Sequence, residues 1–226
     1  MPIFPKKTES RRLLRQYCSA SERARIRCER LKRIWRQIAE RHSRKVLLQI
    51  QPEVLSNLGR WQAYRYRYGP RNETFLKDLG NSPSRYALFR LVTVTHTSGS
   101  LHAVLKEKSA LETVYEFLKK KMILEEKPAR IVAISKALLM IGGFSPGFDS
   151  AVSQVIKSHN PYLLICPGVW PFCVYYEALQ FLADEQNSWE KKNGPMLDLL
   201  SQSEKGNVPI GQIMDRILWG MGKRAS

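Results

Sequence analysis

The stretch Ala133–Lys157, AISKALLMIGGFSPGFDSAVSQVIK, decides how the rest of the chain is read. An apolar run of helical length carries a single lysine, Lys136, and ends at Gly142-Gly143. Glycine there lets the chain leave a helix through left-handed backbone geometry. Pro146-Gly147 favours a tight turn. Asp149 then precedes Ser150-Ala-Val-Ser-Gln-Val-Ile156 and reads as an N-cap, its carboxylate accepting from N–H groups of the first turn. Two readings stand. One is a helix–turn–helix hinge with a capping aspartate; the other is a functional carboxylate held at a helix start, facing a lysine across a turn.

Outward from this hinge the signals are mostly helical. Towards the C-terminus, Asn160-Pro161 breaks the chain and residues 163–172 (LLICPGVWPF) read as a rigid apolar loop. Tyr175 to Glu190 reads as a helix ended by Asn193-Gly-Pro195, followed by a short helix at 196–200 and a last one at 210–219. Asp215 and Arg216 interrupt that last apolar pattern, and surface placement is the expectation. Towards the N-terminus, Pro128 opens the helix that carries Lys136. Ser109-Ala-Leu-Glu112 reads as a capping box for a helix ending in Lys119-Lys120-Lys121, which suits the negative end of its dipole. His96 and His102 fall in a polar, loop-like stretch and fit no standard ligand spacing. Residues 86–95 and 46–58 (the latter with Pro52) read as either strand or helix.

The opening of the chain differs in charge. The whole sequence has a formal net charge of +17, but residues 1–90 hold 22 Lys/Arg against 7 Asp/Glu, leaving 15 against 13 for the rest. Such a split points to a polyanion-binding first part and an ordinary globular remainder. Met1 to Lys7 reads as a mobile arm and 10–17 as a short basic helix. Ser19-Ala-Ser-Glu22 is a capping box opening a helix to about Ser43. On a helical wheel Ala24, Cys28, Leu31, Ile34, Trp35, Ile38 and Ala39 share one face. Arg25, Lys32, Arg33 and Arg36 lie opposite, with Arg23, Arg27, Arg30 and Arg41 on the flanks. Pairs such as Glu29 with Arg33 would neutralise part of that face but leave an excess of arginine. Residues 60–71 add Arg60, Arg65, Arg67 and Arg71 with Tyr64, Tyr66 and Tyr68 alternating among them. Aromatics can stack on bases while guanidinium groups hold phosphates; an edge strand with packed tyrosines gives the same pattern.

Composition excludes several classes. With 226 residues, 43% hydrophobic content and five tryptophans, the chain can bury a real core. No apolar run approaches the roughly 20 residues that span a bilayer. Charges fall where a signal peptide needs its apolar stretch, so a soluble intracellular protein, cytoplasmic or nucleoid-associated, is expected. The four cysteines, Cys18, Cys28, Cys166 and Cys173, have no metal-ligand spacing; free or buried thiols are expected, with no metal and no cofactor.

The segment Phe144-Ser-Pro-Gly-Phe-Asp-Ser-Ala-Val-Ser-Gln-Val-Ile156 resembles the end of the catalytic region in helix-hairpin-helix DNA glycosylases. Those proteins share a Pro-x-x-Asp-x-x-Val-like pattern, here Pro146, Asp149 and Val152. The resemblance covers about residues 130–157. It implies that Asp149 is the catalytic carboxylate, and that Lys136 stands where the bifunctional members have a nucleophilic lysine. The chain departs from the family in three respects. No glycine-containing hairpin turn precedes Lys136, only 13 residues separate Lys136 from Asp149, and no cluster-binding cysteine set follows.

The expected fold is mainly α: a helical core at 85–226 and a basic helical region at 1–84, with room for a few short strands. The expected function is DNA binding through phosphate contacts from Arg23, Arg25, Arg27, Arg30, Lys32, Arg33 and Arg36, joined by Arg60, Tyr64, Arg65, Tyr66, Arg67 and Arg71. DNA is favoured over RNA as partner, a protein partner stays open, and no membrane is involved. A DNA glycosylase or lyase using Asp149, with Lys136 as helper, is one alternative. An RNA- or ribonucleoprotein-associated interaction protein is the other.

Overall fold

The computed structural model describes residues 2–61, 72–122, 130–163 and 170–225. Among them are eleven α-helices, one 3-10 helix and no strand. In order these are α1 (Lys7–Ser19), α2 (Glu22–Glu40), α3 (Arg44–Arg60), α4 (Phe75–Asn81), α5 (Ser84–Ser98), α6 (Leu101–Lys106), α7 (Lys108–Lys121), α8 (Arg130–Ile141), α9 (Ser150–His159), α10 (Phe172–Asn193), the 3-10 turn Met196–Leu199, and α11 (Ile210–Ala225). The protein is mainly α. No described helix is long and apolar enough to cross a membrane.

Helix α8 is the axis of the molecule because its sequence is apolar all round. Ile131, Ala133, Ile134, Ala137, Leu138, Leu139, Met140 and Ile141 are all buried, so α8 needs cover on every side. Helices α2, α3 and α7 supply it. Elsewhere α5 packs on α7, α3 on α4, α6 on α10, and α11 fills the groove between α1 and α9. One hydrophobic cluster draws on both halves of the chain, from Ile3, Leu13 and Trp35 to Ile213 and Leu218. The boundary between the two expected regions, 1–84 and 85–226, falls at the start of α5.

Several elements differ from the local reading. The opening arm is packed: Ile3 and Phe4 are buried, Ile3 N–H donates to Glu185 at 2.8 Å, and the Trp189 indole donates to the Pro5 carbonyl at 2.6 Å. Helix α3 runs through Pro52 because Val46, Leu47, Ile50, Val54 and Leu58 bury one face. That burial exceeds the ~3 kcal/mol an interior proline costs. Residues 86–95 lie in α5, and His96 sits in that helix's last turn rather than in a loop. Gly99, at φ 59°, closes α5, and a Cβ there would stand 2.4 Å from Leu197 Cδ1. His102 lies in α6. Ser21, not Ser19, caps α2, accepting from Ala24 N–H at 3.1 Å. Helix α7 begins at Lys108 without a side-chain cap, which places Ser109 inside it.

Cys18 and Cys28 form a disulfide, contrary to the expectation of free thiols. The hinge at Ala20-Ser21 folds α2 back on α1 and brings the two Cα atoms to 6.0 Å, a proximity invisible in linear spacing. Cys173 is free and exposed, and Cys166 lies outside the described residues. Closing this ten-residue separation restricts the unfolded chain by about 3 kcal/mol in the loop-entropy relation. Cys18→Ser, or reduction of the wild type, is therefore expected to lower the urea midpoint by a corresponding amount and to raise the m-value slightly, because the unlinked unfolded chain exposes more surface. Equal midpoints for oxidised and reduced protein would show that the crosslink adds nothing.

Candidate nucleic-acid interface and the lysine beside it

On α2, Arg23, Arg27 and Arg30 recur at spacings of four and three and so share one stripe. The end of α3 brings Asn57 and Arg60 opposite that stripe. Together these five residues line a cleft of about 410 Å³. None of the four arginines has an acidic partner among the described residues. Asn57 is 2% exposed, and its side-chain amide Nδ2 has no hydrogen-bond partner. A buried donor without an acceptor is uncommon and costly, and an acceptor placed in the cleft would satisfy it.

The other residues expected at the interface are placed differently. Arg33 grips Glu53 with both Nε and Nη2, rather than pairing with Glu29. That carboxylate holds the Arg33 guanidinium above its ordinary value. Lys32 bonds Glu29 at 3.0 Å and lies 3.4 Å from Glu204, and Arg36 donates to the Asn207 side chain at 2.9 Å. Arg25 is exposed on α2 and does not line the cleft. Tyr64, Arg65, Tyr66, Arg67 and Arg71 lie outside the described residues. The fold thus gathers Arg23, Arg27, Arg30 and Arg60.

Lys136 projects from α8 and is 4% exposed. Its Nζ lies 2.9 Å from Asp149 Oδ2 and 3.7 Å from Asp215 Oδ1. Asp149 is the N-cap of α9, its Oδ1 accepting from Ala151 and Val152 N–H at 3.1 Å each. The cap and the lysine therefore use different oxygens of one carboxylate. Asp215 comes from α11 and accepts from Gly147 N–H at 2.8 Å. Phe148 N–H donates to Ser135 Oγ at 2.9 Å, which ties the turn to α8. Gly147 has to be glycine: a Cβ would stand 2.4 Å from Lys136 Cδ and 2.7 Å from Nζ.

Asp215 and Arg216 are both buried, at 1% and 2% exposure, and not on the surface as their charge suggested. Burying a polar pair among Ile213, Met214, Ile217 and Leu218 is costly wherever a group lacks partners. For Asp215 those partners are Lys136 and the Gly147 amide. Burial raises the Asp215 carboxyl above its ordinary range, with Asp149 adding and Lys136 opposing. For Lys136, burial works against the ammonium, but Asp215 and Asp149 outweigh it and hold the group charged, above the usual lysine value. Tyr17 of α1 completes the surroundings, its hydroxyl raised first by burial and then by Asp215, against Lys136 and Arg27. Asp149, with its side chain 25% exposed, is the member of the ion cluster that reaches solvent.

Trp61 joins the cleft to the cluster. Its ring centroid is 5.7 Å from Arg27 Cζ and 4.9 Å from Lys136 Nζ, both within cation–π range. Asn57, Trp61 and Tyr17 were not singled out from the sequence, and Asp215 was expected on the surface. The one signal available was the charged pair inside the apolar pattern of α11, for which exposure is the ordinary outcome. Among the described residues no three His, Cys, Asp or Glu side chains are grouped so as to hold a metal ion.

The chain matches no protein-family model, no curated protein and no solved structure.

Proposed function

We propose that this protein binds DNA through the cleft formed by Arg23, Arg27, Arg30 and Arg60, with phosphate oxygens as the groups received. The observation that carries this reading is the set of four arginines, without acidic partners among the described residues, around the unpaired Asn57 amide. A phosphodiester offers acceptors and charge together, and guanidinium groups match its geometry. Duplex binding followed by fluorescence anisotropy tests it. Four phosphate contacts release counterions so that log K falls against log salt with a slope of about −3.6. Equal retention on heparin with no preference for nucleic acid would remove the reading. A preference for single-stranded RNA over duplex DNA would replace it with the ribonucleoprotein alternative.

A second reading is favoured by the position of Asp149 beside that cleft: base excision of the helix-hairpin-helix type. Breaking the bond between C1′ and the base nitrogen places positive charge on the sugar, and the Asp149 carboxylate would stabilise it. Water would then attack C1′ and give its proton to the carboxylate, while the departing base takes a proton from solvent. A nucleophilic Lys136 would need a free electron pair, which its two carboxylates withhold. Its part in this reading is to orient Asp149. Asparagine also caps helices well, so Asp149→Asn tests the chemistry while preserving the start of α9. Wild type is expected to leave alkali-labile abasic sites in a duplex carrying a damaged base, and Asp149→Asn to leave fewer by about a hundredfold or more. If neither protein leaves such sites on a panel of damaged bases, or both do equally, Asp149 serves only as helix cap and ion-pair partner of Lys136.

A further inference from the structure

A second cleft, of about 320 Å³, lies where α1 meets α11 and the segment after the 3-10 turn. Its charged lining is Arg11, Arg15, Asp198, Glu204 and Arg216. The acids are already committed. Asp198 pairs with Lys205 at 3.0 Å; Glu204 accepts from Ser201 Oγ at 3.0 Å and lies 3.4 Å from Lys32. Arg11 spends one N–H on the Asp198 carbonyl at 3.1 Å, and Arg15 is exposed with no acidic partner among the described residues.

Arg216 is the unusual member. It is 2% exposed, yet its Nε and Nη2 are both buried without any hydrogen-bond partner. The neighbouring carboxylate, Asp215, is taken by Lys136 and the Gly147 amide. Burial presses the guanidinium below its ordinary value, with Tyr17 and Glu204 opposing. Arginine is seldom buried unless paired, and a guanidinium presents its donors as a fork that suits an oxyanion. Three guanidinium groups whose nearby acids are otherwise engaged favour a multiply charged anion over a single carboxylate.

We infer that this cleft is a phosphate-binding site, with the Arg216 guanidinium as its floor and Arg11 and Arg15 as its rim. The site is separate from the Arg23–Arg60 cleft and does not rest on the DNA-binding reading. The phosphate belongs either to a nucleic-acid backbone or to a small free phosphorylated molecule.

Isothermal titration of the full chain with inorganic pyrophosphate tests the site. Wild type is expected to bind at least one equivalent. Arg15→Ala, an exposed change that leaves the fold alone, is expected to weaken binding about tenfold. Arg216→Met is expected to abolish binding while leaving the urea midpoint of the ligand-free protein unchanged or higher, since it removes unpaired buried donors. Binding is expected to survive in the Arg23→Ala, Arg27→Ala, Arg60→Ala triple variant. Failure of wild type to bind, binding indifferent to Arg15→Ala and Arg216→Met, or loss of binding in the triple variant would each overturn the assignment. A competing duplex then separates the sources. Displacement of pyrophosphate by DNA assigns the site to a backbone phosphate; persistence assigns it to a free phosphorylated ligand. Both results uphold the site.

Discussion

Alanine at Arg23, Arg27 and Arg60 together is expected to weaken duplex DNA binding by about a hundredfold at moderate salt and to flatten its salt dependence. Each phosphate contact contributes about 0.9 to the slope of log K against log salt, so losing three of four takes it from about −3.6 to about −0.9. The slope is the stronger readout because a merely misfolded variant would lose affinity without retaining a defined, shallower slope. Misfolding itself is not expected. Arg23 and Arg60 are exposed, Arg27 is half-buried, and none has an acidic partner among the described residues. Exposed changes such as those at Arg23 and Arg60 usually move stability by about 0.5 kcal/mol or less, and Arg27→Ala adds the loss of its Trp61 contact, about 0.5–1 kcal/mol. Arg33→Ala and Arg36→Ala serve as matched controls, since Glu53 and Asn207 already hold those side chains. Their expected effect is about threefold or less. If the controls weaken binding as much as the triple variant, the interface is a diffuse positive surface and the cleft has no special part.

Lys136→Met is expected to be among the most destabilising single changes in the protein, by about 3–5 kcal/mol at pH 7. It leaves Asp215, 1% exposed, facing Asp149 without the cation that lies between 2.9 and 3.7 Å from them. The loss has a pH signature. A buried carboxyl whose folded value lies above its unfolded one, about 3.9, binds its proton more tightly when folded. Its penalty is complete above the folded value and fades as pH falls towards the unfolded one. Without Lys136 that value rises further, so the variant's deficit against wild type should shrink between neutral pH and about pH 4. Lys136 itself gives the opposite limb. Its folded value is raised, so wild-type stability from this group is present below about 10.4 and drains away as pH climbs through the folded value. Adding Asp215→Asn to Lys136→Met should recover a large part of the loss at pH 7, because it removes the stranded charge while keeping an acceptor for Gly147 N–H. Urea unfolding of the three proteins at neutral and acid pH checks each point. A deficit that does not change with pH would mean that Lys136 acts through packing of its stem alone.

The arrangement leaves the α8–α9 turn little room for substitution. Gly147 is pressed against the lysine stem and donates to Asp215, while Phe148 is tied to Ser135. Gly143, at φ 69°, lies against Trp35 and Pro209, and Gly143 carbonyl receives the Gly211 amide at 2.7 Å. The turn is therefore built from both ends of the chain at once. Trp35 comes from α2 and Gly211 from α11.

Much of the architecture was legible in the sequence because it rests on near-neighbour physics. Asp149 caps α9 through amides two and three residues on, and the apolar stripe of α2 buries Cys28, Leu31, Ile34, Trp35 and Ile38. The excess of arginine in the first 90 residues is likewise a property of composition. What tertiary structure alone decided are the pairings between distant residues: Lys136 with Asp215, Cys18 with Cys28 across a hinge, Ile3 with Glu185, and Arg23–Arg30 opposite Asn57 and Arg60. A linear pattern fixes which residues share a helix face. It does not fix which face meets which, because burial of α8 on all sides is a collective choice among many helices. That choice sent Asp215 inward to the lysine, and left four arginines around a cleft with no acidic partner among the described residues.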